Sequence, residues 1–171
     1  MTGWWTAAFV AQWVLLFVLA TVVVALARQV GALHLRLGPL GALEIDDEGP
    51  PLGEMLAATT VAAPGDERVL LGGPAASGRV VFFTSPTCPV CKQVLPALPA
   101  AARAAGFAPQ VVSDPDAESR LAIPGTPYVL VLDGPGIVRA KGTVNSMEQL
   151  DGLVDTAERR IAEGRVELEA M

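Results

Sequence analysis

Cys88 and Cys91 are the only cysteines in the chain, with Pro89 and Val90 between them. Two thiols at this spacing can close into a disulfide and reopen. At the start of a helix, the first sulfur stands among unpaired N–H groups at the positive end of the helix dipole, and its thiolate is favoured. The thiolate is the species that attacks a disulfide; a second thiol one turn on can close the ring and expel the partner. Cys88 is therefore the candidate nucleophile and Cys91 the candidate resolving thiol. Pro89 suits the first helical turn, where its missing N–H would be unpaired anyway. Pro89 and Val90, held between the sulfurs, are the candidate redox-tuning residues.

Other chemistries fail on spacing. Zinc would need two more ligands, and the one histidine, His34, lies next to the apolar N-terminal segment. A c-type haem would need histidine where Lys92 stands, and a Cys-x-x-x-Cys copper site would need another spacer residue. A peroxiredoxin of the Pro-x-x-x-Thr-x-x-Cys kind would need proline and threonine where Val81 and Ser85 stand. No metal and no cofactor is expected. The bland alternative is an inert structural disulfide, and so short a ring staples little of a fold.

The elements around the pair are readable. Arg79–Thr84 is rich in β-branched and aromatic residues and predicts a buried strand, with Ser85-Pro86-Thr87 as a turn. Helical spacing runs from Cys88 to about Ala105 and is stopped by Gly106. Gln110–Ser113, Tyr128–Leu132 and Ile137–Lys141 are further strands, and Asp116–Leu121 is a short helix. Gly134-Pro135-Gly136 is a hairpin turn, which makes the last two strands antiparallel. Ser146 opens a final helix through a capping box with Gln149, and Gly164 ends it. Val61–Ala63 and Val69–Leu71 predict a small hairpin upstream. The order is that of a layered α/β domain. Pro124-Gly125-Thr126-Pro127 leads straight into a strand, so Thr126–Pro127 is a candidate cis bond, with an ordinary trans turn as the alternative.

The rest of the chain splits in two. It has 171 residues, 18 acidic against 12 basic, and a net charge of −6. From Met1 to Ala27 there is no charged residue and no histidine. As a helix, Trp4–Ala27 would reach roughly 36 Å, enough to cross a hydrocarbon core of about 30 Å. Residues 4–27 are thus the expected contact with a lipid bilayer, residues 1–27 an anchor, 28–51 a connector and 52–171 the folded domain. Ala25-Leu26-Ala27 fits a signal-cleavage pattern, but the apolar run is long and no basic residue precedes it. Arg28 and Arg36 alone would place the following domain in the cytoplasm. The composition excludes a disordered chain and a polytopic membrane protein. The acidic balance, with no basic cluster, argues against nucleic acid as a partner.

Three motifs carry a resemblance. Cys88-Pro-Val-Cys-Lys-Gln-Val-Leu-Pro96, Ile123-Pro-Gly-Thr-Pro127 and Gly142-Thr-Val-Asn-Ser-Met-Glu-Gln-Leu150 resemble, in order, the redox motif, cis-proline loop and last-strand glycine of the thioredoxin superfamily. Over nearly the whole chain there is a closer resemblance to the MauD family of membrane-anchored redoxins. It rests on the N-terminal apolar helix, Arg28-Gln-Val-Gly-Ala-Leu-His34, Pro50-Pro51-Leu52-Gly53-Glu54 and Ser85-Pro-Thr-Cys-Pro-Val-Cys91.

The resemblance implies a thioredoxin-like three-layer fold and a membrane-anchored thiol–disulfide oxidoreductase. Its domain would face the exported, periplasmic side. It would act in disulfide formation or isomerisation while a disulfide-containing exported protein matures, such as the methylamine dehydrogenase small subunit, with a membrane electron-transfer partner. Thr126 and Pro127 would bind the extended backbone of the substrate beside Cys88. A cytoplasm-facing reductase and a non-enzymatic assembly module are the alternatives. Two positions depart from thioredoxin: Thr87 replaces a tryptophan, and Phe82 replaces a buried carboxylate that takes the second thiol's proton. Asp66 or Glu67 could supply a carboxylate from elsewhere.

Overall fold

The computed structural model describes residues 3–36, 48–65 and 67–169, in two compact units divided at Gly38. The first unit is one helix, α1 (Gly3–Arg36). Its stretch Gly3–Ala25 is long and apolar enough to cross a membrane. The helix continues past Ala27 to Arg36, so the beginning of the expected connector is helical. Residues 37–47, the rest of the connector before Glu48, lie outside the described residues.

The second unit is built on a four-stranded sheet of β3 (Arg79–Phe83), β4 (Ala108–Val112), β5 (Tyr128–Leu132) and β6 (Val138–Thr143), in the order β4-β3-β5-β6. β3 runs parallel to β4 and antiparallel to β5, and β5 antiparallel to β6. β3 and β5 are central strands buried on both faces, which is why both read as continuous apolar runs rather than alternating ones.

Alternate residues of these strands feed two cores. On one face Val80, Phe82, Val129 and Val131 pack under α2 (Pro89–Val94), α3 (Leu98–Ala104) and α5 (Met147–Glu169). On the other, Val81, Phe83, Tyr128 and Leu130 are covered by Leu56, by α4 (Pro115–Arg120), and by the antiparallel hairpin of β1 (Thr59–Ala62) and β2 (Arg68–Leu71). This is the expected three-layer α/β arrangement.

Three expectations need correction. The helix after Cys88 is not continuous to Ala105: α2 gives way to a 3-10 turn, Leu95–Ala97, before α3. Pro96 and Pro99 cannot donate the i→i−4 bonds a straight helix needs there. Gly164 does not end α5, which continues to Glu169; one glycine costs a helix only about 1 kcal/mol, and good helix formers follow it. The second and last strands are shifted to Ala108–Val112 and Val138–Thr143. The capping box is present, with a small difference. Ser146 Oγ accepts from Gln149 N–H at 3.2 Å, while Gln149 Oε1 reaches the Asn145 N–H at 2.6 Å.

Candidate functional site

β3 delivers the chain to the C-terminal edge of the sheet, and Ser85–Thr87 turns it into α2. Cys88 is the N-cap of α2, and Pro89 occupies the first helical position. Cys88 and Cys91 are joined in a disulfide. The ring is asymmetric. Cys88 Sγ accepts the N–H of Cys91 at 3.1 Å, as a capping side chain does. Cys88 is 8% exposed and Cys91 1%. Among the described residues no hydrogen bond reaches Cys91 Sγ. Val90 is half-buried and packs on the core beneath the helix, while Pro89 is exposed.

The Pro124–Pro127 loop stands opposite. The Thr126–Pro127 peptide is cis. The Thr126 carbonyl oxygen lies 3.6 Å from Cys88 Sγ. With the sulfurs oxidised this is a contact without a proton; a reduced Cys88 S–H could donate to it. Thr126 Oγ1 donates to Ser85 Oγ at 3.4 Å, which links the loop to the turn before Cys88. Behind the loop, Val144 N–H reaches the Pro127 carbonyl at 3.4 Å. The cysteines and Thr126–Pro127 therefore come together at one edge of the sheet, although they belong to separate segments.

Ser85 and Val144 complete the arrangement and were not singled out in the sequence. Both lie inside recognisable motifs, but a serine in a turn and a valine after a strand give no chemical signal. Phe82 is fully buried on the cysteine face of the sheet. Glu67 is exposed in the β1–β2 turn, and that hairpin covers the opposite face, so it brings no carboxylate to Cys91. Asp66 lies outside the described residues.

The loop is also held from the other side. Tyr128, the residue after Pro127, donates its hydroxyl to the Glu48 carbonyl at 3.0 Å, and Gly49 N–H reaches the Ala122 carbonyl at 3.0 Å. Asp114 caps α4, taking the Ala117 N–H and, from β1, the Ala62 N–H, both at 3.0 Å. These two bonds hold its carboxyl below the usual range. Burial, and then the charge of Asp114, push the Glu118 carboxyl up.

No protein-family model matches the chain. Curated relatives do. The chain is 33% identical to the methylamine utilization protein MauD of Methylorubrum extorquens, over 85% of this chain and 83% of that one. It is 33% identical to MauD of Paracoccus denitrificans, over 91% and 90%. Among solved structures it is similar to a putative thiol:disulfide interchange protein DsbE from Chlorobium tepidum, with a TM-score of 0.52 at 16% identity. That match covers 64% of this chain and 97% of the other, and it shows the thioredoxin-like fold.

Proposed function

The chain belongs to the MauD family and is a thioredoxin-like thiol–disulfide oxidoreductase, and from this we propose that it is held in the membrane by α1 and exchanges disulfides with an exported protein during its maturation. Cys88 is the attacking sulfur and Cys91 the resolving one. Pro89 and Val90 set the environment between them. Thr126 and Pro127 bind the substrate.

The observation that carries this reading is the placement of the Cys88–Cys91 disulfide at the tip of α2, with the Thr126 carbonyl 3.6 Å from Cys88 Sγ. An extended segment lying along Thr126 would present its own sulfur to Cys88. Main-chain pairing then supplies affinity independent of the substrate's side chains. The family name points to methylamine utilization, and the methylamine dehydrogenase small subunit is the substrate we favour. A dithiol partner in the membrane would exchange electrons with the Cys88–Cys91 pair. An exported domain suits a disulfide that must persist. Arg28 and Arg36 favour the opposite orientation, and a reporter fused after Met171 distinguishes the two.

The test is covalent trapping in a host growing on methylamine. Cys91→Ser should form mixed disulfides with the small subunit, because the attacking sulfur of Cys88 is retained and no second thiol remains beside it. Cys88→Ser should accumulate almost none. Equal trapping by the two variants would overturn the assigned roles, and trapping of other proteins only would overturn the substrate.

A further inference from the structure

The two sulfurs sit in different surroundings, and the difference bears on which exchange reaction the site favours. Cys88 has a backbone N–H at 3.1 Å and the N-terminus of α2 to stabilise its thiolate. Cys91 is 1% exposed and belongs to the buried apolar cluster that includes Phe82, Val94, Val129 and Val144. The buried polar side chains of the described residues do not supply what it lacks. Arg79 and Asp133 lie at the opposite ends of β3 and β5, and Arg79 is bonded to the carbonyls of Leu70, Gly72 and Gly73. Lys141 pairs across from Leu130, whose side chain belongs to the other face of the sheet. Thr84 carries no titratable group.

We infer that Cys91 is a poor escape thiol, and that the site therefore favours rearranging substrate disulfides over transferring electrons to or from them. This rests on the proposed function and specifies its direction.

The Cys88 thiolate attacks one sulfur of a substrate disulfide. The Cys88–substrate S–S bond forms, the substrate's bond breaks, and the electron pair leaves on the second substrate sulfur. Two routes lead on. In rearrangement, a thiolate of the same substrate attacks the substrate sulfur of the mixed disulfide. A new substrate disulfide forms, and the pair returns to Cys88; no electrons are gained or lost. In escape, Cys91 gives its proton to water and attacks Cys88 Sγ. The substrate leaves as a thiolate, reduced by two electrons, and the protein's dithiol becomes the disulfide. A dithiol reductant must then restore it.

Burial without a donor raises a thiol's pKa, because only the thiolate needs solvation. Each unit of rise lowers the thiolate fraction about tenfold and recovers roughly threefold in nucleophilicity, a net loss of roughly threefold. The reverse direction suffers equally. When a substrate thiolate attacks the Cys88–Cys91 disulfide, Cys91 is the leaving group, and a high-pKa thiol leaves slowly. Rearrangement uses Cys88 alone and avoids both penalties.

The experiment uses the full chain in detergent, reduced with dithiothreitol and freed of it. With excess glutathione disulfide, the Cys88–glutathione adduct should accumulate in the wild type to within about threefold of its level in Cys91→Ser. With scrambled ribonuclease, the wild type should recover native activity while its own two thiols stay reduced, because rearrangement takes no electrons from the pair. Cys88→Ser should recover none. A wild-type adduct that vanishes as fast as it forms while Cys91→Ser accumulates it, or conversion of the protein's dithiol to the disulfide as the ribonuclease refolds, would overturn the inference and leave the proposed function standing. No adduct on Cys88 in either protein would overturn the proposed function itself.

Discussion

Two carboxylates of α4, Asp114 at its N-cap and Glu118 within it, differ in what folding does to them. Asp114 receives two backbone N–H groups and is held below the usual carboxylate range. A depressed folded-state pKa contributes stability that is complete above the ordinary range, about pH 4, and is lost as pH falls through the folded value. Asp114→Ala removes the cap and the tie to β1 and should cost about 1–2 kcal/mol at pH 7, read as a fall in midpoint on denaturant titration. The difference should shrink on acidification below pH 4. Glu118 runs the other way. Its folded-state pKa is raised by burial and by Asp114, so ionising it weakens the fold as pH rises from the unfolded value through the folded one. Glu118→Gln should therefore raise the melting temperature at pH 7 and leave it unchanged at pH 3. A melting temperature lowered at pH 7 would show that the Glu118 charge is welcome in the fold. The Asp114 tie was not legible in the sequence, because it depends on Ala62 of β1 lying beside the start of α4 across a long stretch of chain, and the Glu118 shift was not because it depends first on burial.

At the scale of elements, the Pro124–Pro127 loop is held between two anchors. Ser85 and Val144 fix it from the cysteine side, and Tyr128 with the Glu48–Gly49 segment fixes it from the other. Gly49 has φ +70, and a Cβ there would stand 2.5 Å from the Tyr128 hydroxyl oxygen. Gly49→Ala should destabilise the domain by more than Tyr128→Phe, in which the bond to the Glu48 carbonyl, worth about 1 kcal/mol, is lost; the comparison is made on thermal melts of both. Equal loss would mean that the segment moves aside to admit the side chain. β3 and β5 were legible because central strands read as uninterrupted apolar runs, and Ser146 and Gln149 announced α5 through local chemistry. The break between α2 and α3 was missed because the apolar spacing continues across Pro96 and Pro99, and periodicity outweighed the two missing N–H donors. The end of α5 was misplaced because Gly164 was read as a stop, although Arg165, Glu167, Leu168 and Glu169 are all good helix formers. The candidate site was legible as motifs: spacing and resemblance point to Cys88, Cys91, Thr126 and Pro127, which the fold brings to one edge of the sheet. Its internal wiring was not, since the Ser85–Thr126 and Val144–Pro127 bonds join residues whose types carry no signal of pairing.

For the whole molecule, composition separates two environments that the chain must satisfy at once. α1 exposes Trp4, Trp5, Phe9 and Trp13, and nothing charged interrupts it before Arg28. A surface of that length and apolarity is stable in hydrocarbon and not in water. The unit from Pro39 onward carries every acidic side chain, and its two apolar clusters lie one on each face of a single sheet. Residues 39–171 alone should therefore remain soluble without detergent and unfold cooperatively, whereas the full chain should need detergent. The same reasoning predicts where the full chain is found in the cell. If α1 is retained as an anchor, the protein should stay in the membrane fraction through a carbonate wash, and its N-terminus should be Met1 or Thr2. A soluble form beginning at Arg28 would instead mean that Ala25-Leu26-Ala27 is cut and that α1 serves only for export. Retention alone leaves the side undecided, because Arg28 and Arg36 pull the domain toward the cytoplasm while the proposed exchange belongs outside it. A reporter active only after export, fused beyond Met171, should be active. Activity only from a cytoplasmic reporter would move the Cys88–Cys91 pair into a reducing compartment, where an exported substrate could not meet it after translocation.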